Sequence, residues 1–133
     1  MTGANDNHVT ILVVEDEQIV LDLVTSILKE AGYAILRAHN GEEAVQIGSR
    51  HEGRIDLVLT DIVMPGMSGG ELVRQLLPLK PEIRVLYMSG YTKYTVASHG
   101  VLESVNSFIW KPFLPGTLLQ KVREVLDSPP GIA

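Results

Sequence analysis

The sequence predicts an α/β fold in which a parallel sheet lies between two layers of helices. Short apolar segments rich in β-branched residues alternate along the chain with segments whose apolar residues recur every three or four positions. The strand-like segments are mostly apolar and show no regular alternation of polar and apolar residues, which is typical of strands covered on both faces. A length of 133 residues and a hydrophobic fraction of 45% also suit one domain with a sizeable core.

The first half of the chain contains two predicted strand–helix units. Residues 9–14 form a short apolar strand that stops at three acidic residues, and the apolar positions of residues 19–31 have helical spacing up to Gly32. Residues 33–38 are predicted as the second strand. Asn40, followed closely by two glutamates, is typical of the N-cap and first turn of a second helix.

The second half continues the alternation. Residues 56–61, 83–88 and 105–110 are predicted strands, and residues 92–100, which are poor in helix formers, are predicted as a short or frayed helix. Ser68 and Glu71 have the spacing of a capping box at the start of the third helix, which Pro78 helps to end. Pro115 suits the first turn of the last helix.

Composition excludes several classes of protein. A net charge of −5 argues against binding nucleic acid through a basic face, and no apolar run is long enough to span a bilayer. The absence of cysteine excludes disulfides and thiolate metal sites. We expect a cytoplasmic domain over residues 9–127, without membrane or nucleic-acid contact, flanked by flexible tails at residues 1–8 and 128–133.

Five strand–helix units fit a flavodoxin-like (βα)5 three-layer sandwich with a parallel sheet of order 2-1-3-4-5. In such a sheet the carboxyl ends of the strands meet at one edge. The polar residues predicted at those ends are Glu15, Asp16, Asp61, Ser89 and Lys111. Crowded carboxylates repel one another unless they share a cation, and an oxygen-only cluster favours Mg²⁺. A lysine and a hydroxyl beside that ion suit phosphoryl oxygens, so the pattern predicts a phosphoryl-transfer site.

Four motifs, in order along the chain, resemble the receiver domain of two-component response regulators. They are residues 12–17 (LVVEDE), 56–69 (DLVLTDIVMPGMSG), 88–90 (MSG) and 110–113 (WKPF). The resemblance covers residues 9–127. Among receiver domains, the sequence most resembles those at the C-terminal end of hybrid sensor histidine kinases.

The resemblance implies a role for each residue of the site. Asp61 would be the phosphoacceptor of a phosphorelay, taking the phosphoryl group from a histidine kinase or a histidine phosphotransfer domain. Mg²⁺ would be held by Asp16, Asp61 and the backbone carbonyl of Val63, with Glu15 acting through water. Lys111 would contact the phosphoryl group. The domain would be a signalling phosphoacceptor, not an enzyme acting on other substrates.

The resemblance also implies a conformational switch. Ser89 would be the switch hydroxyl and Phe108 the switch aromatic, a position where a tyrosine would have carried a hydroxyl. The Lys111–Pro112 peptide bond is expected to be cis, as is typical of the family. Trp110 is large for a strand end, and both a core role and a docking role remain open.

Three other functions share parts of this pattern. A flavin mononucleotide carrier would need a phosphate loop where residues 15–17 are acidic and repel phosphate. An aspartate-dependent phosphatase usually has a second acid at the position of Val63. A pseudo-receiver would bind partners without phosphorylation, against which the complete acidic set argues. Free-standing and hybrid-kinase receivers share these motifs, so both remain open, as does the oligomeric state.

Overall fold

The computed structural model describes residues 9–90 and 107–129. Within these ranges it contains five strands and four helices. The strands are β1 (Thr10–Val14), β2 (Ala34–Ala38), β3 (Leu57–Asp61), β4 (Arg84–Ser89) and β5 (Ser107–Trp110). The helices are α1 (Gln18–Glu30), α2 (Gly41–Arg50), α3 (Gly69–Leu76) and α4 (Pro115–Leu126). The short helix predicted at residues 92–100 lies outside the described residues.

All strand pairs are parallel, and the strand order is β2-β1-β3-β4-β5. This confirms the predicted fold class and sheet order. The register places Asp61 beside Met88 and Ser89 beside Trp110, so β3, β4 and β5 end at nearly the same level. Polar residues that end these strands are therefore neighbours, although they are far apart in the sequence.

Each face of the sheet packs against its own helix layer. Alternate β1 residues contribute to opposite faces, because successive side chains of a strand point to opposite sides. Leu12 and Val14 belong to the core that α2 and α3 cover, whereas Ile11 and Val13 belong to the core that α1 and α4 cover. The two cores cover both faces of the sheet, and polar groups lie at its carboxyl edge.

The predicted helix signals occur in the structure. The Asn40 side chain accepts a hydrogen bond from the Glu43 N–H, and Ser68 and Glu71 form both hydrogen bonds of a capping box. Gly32, just beyond α1, has φ of +100°, a conformation that glycine adopts without steric cost. Pro115 is in the first turn of α4. These local signals position the start of α2 and α3 and the end of α1.

Two details differ from a simple reading of the sequence. Ser89 is the last residue of β4 and does not follow it, because its carbonyl accepts a hydrogen bond from the Lys111 N–H at 2.8 Å. Ser128, the first residue of the predicted tail, accepts a hydrogen bond at its carbonyl from Arg84 Nε at 2.7 Å. None of the helices in the described ranges has the length and apolar character that crossing a membrane requires.

Candidate functional site

Three carboxylates meet at the carboxyl edge of the sheet. Glu15 and Asp16 follow β1, Asp61 ends β3, and one oxygen of each lies within 4.8 Å of those of the others. They line or adjoin an open depression of about 540 Å³ whose walls are Asp16, Glu17, Asp61, Val63, Gly90 and Lys111. The structure therefore brings together the acidic residues that the sequence predicts to be neighbours.

Lys111 bridges the two buried carboxylates. Its Nζ lies 2.7 Å from Glu15 Oε1 and 3.0 Å from Asp61 Oδ2, so one ammonium group donates to both. Burial alone would lower the pKa of Lys111, but the hydrogen bonds to Glu15 and Asp61 outweigh it and the pKa is raised. Burial raises the pKa of Glu15, although hydrogen bonds from Lys111 and from the Glu17 N–H oppose that rise. The lysine thus stays positively charged at neutral pH.

Asp61 has one oxygen engaged and one without a partner. Oδ2 accepts from Lys111, whereas Oδ1 is buried and has no hydrogen-bond partner. A buried carboxylate oxygen left in this state is costly unless another group binds it. Asp61 belongs to a cluster in which every candidate ligand atom is a carboxylate oxygen, the chemistry that Mg²⁺ prefers. The residues present therefore fit a divalent cation.

Main-chain contacts hold the acidic loop and β4 in place. The Glu17 N–H donates to Glu15 Oε2 at 3.0 Å, which fixes the carboxylate that faces Lys111. Ser89 is fully buried at the end of β4, next to Trp110 in the sheet register. The Lys111–Pro112 bond is cis, as expected from the resemblance. The predicted residues of the site thus lie along one continuous edge.

Two contacts, one at Asp61 and one at the next residue, were not predicted from the sequence. Thr60 Oγ1 donates to the Asp61 carbonyl at 2.9 Å, and the Gly69 N–H donates to the Ile62 carbonyl at 2.8 Å. The second bond closes the loop between β3 and α3, which contains Val63. In the sequence Gly69 is part of the motif at residues 56–69, and close approach of the main chain is one of the structural reasons for a glycine.

An aromatic stack extends from the core beside this site. The rings of Tyr87 and Phe108 are 5.6 Å apart, and those of Phe108 and Trp110 are 5.4 Å apart with only 8° between their planes. Phe108 is buried and Trp110 is half-buried, so Trp110 both packs on the core and reaches the surface. Burial raises the pKa of Tyr87 to about 12.

Comparison with known proteins decides the family. The sequence model of the response regulator receiver domain matches residues 11–123. The chain belongs to this family. Sensor kinase CckA from Brucella abortus is 35% identical to this receiver domain over 90% of the chain and 13% of that kinase. Response regulator SaeR from Staphylococcus aureus is 26% identical over 87% of the chain and 50% of that protein. The chain thus spans half or less of the length of these curated relatives.

Solved structures show the same fold. The receiver domain from hybrid histidine kinase CckA is 33% identical with a TM-score of 0.75, covering 89% of this chain and 99% of that one. A receiver protein from Sinorhizobium medicae is 30% identical with a TM-score of 0.78, covering 91% and 96%. A chain in the structure of the CheX-CheY-BeF3-Mg complex from Borrelia burgdorferi is 29% identical with a TM-score of 0.78, covering 90% of both chains. This receiver domain is therefore a signalling domain of two-component systems.

Proposed function

We propose that this receiver domain accepts a phosphoryl group on Asp61 from the phosphohistidine of a histidine kinase or a histidine phosphotransfer domain. The observation that carries the proposal is the state of the Asp61 carboxylate. One of its oxygens is bound by Lys111 and the other is buried without a hydrogen-bond partner, beside an acidic cluster. An ion pair that served only the fold would explain the contact with Lys111. It would not explain a buried carboxylate oxygen without a hydrogen-bond partner.

Mg²⁺ would be held at this edge by Asp16, Asp61 and the backbone carbonyl of Val63, with Glu15 acting through water. Its chemistry there is to neutralise charge on the transferring phosphoryl oxygens. The Borrelia burgdorferi relative, whose solved complex contains BeF3 and Mg²⁺, supports this assignment. The oxygen-only donor set supports it independently.

In the proposed transfer, one carboxylate oxygen of Asp61 attacks phosphorus opposite the donor imidazole. A bond forms between oxygen and phosphorus, and the bond between phosphorus and the histidine nitrogen breaks. The electron pair of the broken bond stays on the imidazole. Lys111 stabilises the charge on the phosphoryl oxygens, which is the main catalytic contribution in reactions of this kind. The product is an acyl phosphate on Asp61.

The proposed signal is a change of conformation at β4 and β5. The phosphoryl group adds a charge of about −1.5 to −2, and the Ser89 hydroxyl would turn toward it. Phe108 lies two positions from Trp110 on β5 and packs beside β4, so it would move into the space that is vacated. Partner proteins would recognise the altered surface.

The cytoplasmic location expected from the sequence stays a prediction.

The test is phosphorylation by acetyl phosphate, with and without Mg²⁺, followed by separation of the phosphorylated and unphosphorylated forms. The wild type should be labelled only when Mg²⁺ is present, and Asp61→Asn should not be labelled. Asp22→Asn is the matched control, because Asp22 is an exposed carboxylate that pairs with Arg37 on the surface. This control should be labelled like the wild type.

Three results would contradict the proposal. Labelling of Asp61→Asn at the wild-type rate would show that another residue is the phosphoacceptor. Labelling of the wild type in excess chelator would show that phosphorylation does not require the metal. A wild type that neither is labelled nor binds BeF3 would favour the alternative, a pseudo-receiver that binds partners without phosphorylation.

A further inference from the structure

Gly69, the first residue of α3, lies against the main chain of the proposed phosphoacceptor. A Cβ atom at position 69 would be 2.3 Å from the Asp61 carbonyl oxygen and 3.1 Å from the Ile62 Cα. Real Cβ atoms essentially never come within 3.0 Å of another heavy atom. The atoms in the way belong to the backbone, not to the end of a flexible side chain, so they have no simple way to move aside.

The backbone conformation does not explain this glycine. Gly32 and Gly66 have positive φ, but Gly69 does not. At a helical position with ordinary φ, alanine is favoured over glycine by about 1 kcal/mol. The glycine therefore opposes the local helical preference. Its physical reason is the close approach to Asp61.

The main chain that Gly69 touches is fixed on its other sides. The Ile62 N–H donates to the Met88 carbonyl at 3.2 Å, which extends the pairing of β3 and β4, and Thr60 Oγ1 donates to the Asp61 carbonyl. The Gly69 N–H closes the loop on the Ile62 carbonyl. Because the sheet and the loop both hold this peptide, any displacement of it carries the Asp61 side chain along.

We propose that Gly69 is a positioning residue for phosphoryl transfer. By leaving room for the Asp61 carbonyl, it sets the position of the Asp61 carboxylate relative to Lys111 and to the acidic cluster. This inference rests on the proposed function, because it takes Asp61 as the phosphoacceptor. It concerns a residue that contacts neither the donor nor the phosphoryl group.

The test compares Gly69→Ala with Gly48→Ala. In the control the new Cβ would meet Leu76 Cδ2 at 2.7 Å, so it also crowds a helix, but against a flexible side chain in the contact between α2 and α3. Initial rates of phosphorylation by acetyl phosphate are measured at saturating Mg²⁺ over a range of donor concentrations. Circular dichroism and urea unfolding measure the folded fraction of each variant.

The maximal rate of Gly69→Ala should fall about 100-fold, since a misplacement of roughly 1 Å at a reacting group costs that much. The half-saturating donor concentration should stay within about threefold, because ground-state binding of the donor is not the interaction removed. Gly48→Ala should keep both values within about twofold. Partial unfolding would also lower the maximal rate without changing half-saturation, so each rate is expressed per folded chain, using the folded fraction from circular dichroism and urea unfolding. The loss of about 100-fold should remain after this correction.

Two results would overturn the inference while leaving the proposed function intact. One is a wild-type maximal rate in Gly69→Ala. The other is a Gly69→Ala chain that is unfolded where Gly48→Ala is folded, because the glycine would then serve the fold as a whole. A wild type that acetyl phosphate does not label would overturn the proposed function, and the inference with it.

Discussion

Lys111 reduces the repulsion between two buried carboxylates by donating to both Glu15 and Asp61. It therefore performs two tasks at once. It stabilises the carboxylates of the site, and in the proposed transfer it would offer positive charge to the phosphoryl group. Removing the side chain should affect these two tasks differently.

Lys111→Ala should lower the maximal phosphorylation rate about 100-fold, the usual cost of losing one preorganised donor at a developing charge. The affinity for Mg²⁺ should not fall, because the variant removes a cation that repels the metal. Calorimetric titration with Mg²⁺ and acetyl phosphate kinetics measure the two effects. Lys121→Ala is the control, since Lys121 lies on α4 and pairs only loosely with Glu124 at 3.6 Å. A wild-type rate in Lys111→Ala would contradict the assigned role.

Two buried threonines should respond in opposite directions to the same change. Thr25 Oγ1 has no hydrogen-bond partner, whereas Thr60 Oγ1 donates to the Asp61 carbonyl. Thr25→Val should therefore raise the free energy of unfolding by about 1 kcal/mol, and Thr60→Val should lower it by about 1 kcal/mol. Urea unfolding with an unchanged m-value checks both. Destabilisation by Thr25→Val would indicate that its hydroxyl is satisfied in solution.

At the scale of elements, the capping box of α3 joins helix stability to the loop that follows Asp61. The Ser68 hydroxyl accepts from the Glu71 N–H, and Glu71 Oε1 accepts from the Ser68 N–H. Ser68→Ala should lower the free energy of unfolding by about 1 kcal/mol at neutral pH. Ser26→Ala, on the exposed side of α1, should have little effect. Equal losses in the two variants would show that the cap contributes nothing.

The same box predicts a pH dependence. Hydrogen bonds from the Ser68 N–H and hydroxyl lower the pKa of Glu71 from its usual value of 4.5. The lowered pKa of Glu71 therefore stabilises the folded state above pH 4.5. This stabilisation is lost as the pH falls through the pKa that Glu71 has in the folded state. The difference in stability between the wild type and Glu71→Gln should shrink over that acidic range. Urea unfolding at neutral and acidic pH measures it, and a constant difference would contradict the linkage.

Elements were predictable where local chemistry decides them. Asn40 and Ser68 begin their helices because their side chains satisfy N–H groups that a helix leaves unpaired, and this needs only neighbouring residues. Ser89 was predicted just outside β4, because the hydrogen bond that keeps it in the strand comes from Lys111, 22 positions further along the chain. Hydrogen bonds between residues so far apart in the sequence leave no pattern in the neighbouring residues.

At the scale of the whole molecule, the candidate site was largely predictable because a parallel sheet brings its strand ends to one edge. Glu15, Asp61 and Lys111 needed only the strand assignments and the order of the sheet. The closeness of Gly69 to Asp61 and the stacking of Phe108 on Trp110 were not predicted. Both depend on how separate elements pack at ångström precision, which periodicity and motif spacing do not encode.

The acidic cluster also predicts a stability effect of metal on the entire domain. Because the folded chain alone gathers Glu15, Asp16 and Asp61, Mg²⁺ should bind the folded state preferentially. At ten times its dissociation constant it should raise the free energy of unfolding by about 1.4 kcal/mol. Thermal unfolding in MgCl2, with NaCl at matched ionic strength, measures the shift. Asp22→Asn should keep the shift and Asp61→Asn should lose most of it, whereas an equal shift in both would place the metal elsewhere.

Trp110 is the single tryptophan of the chain, and it stacks on the aromatic ring proposed to move. Any fluorescence excited selectively in tryptophan therefore originates one residue from Lys111. The domain thus contains an intrinsic fluorescent probe at the place where phosphorylation would cause the conformational change. Stopped-flow emission could time ring movement against phosphorylation in the unlabelled protein, and so reveal which of the two events comes first.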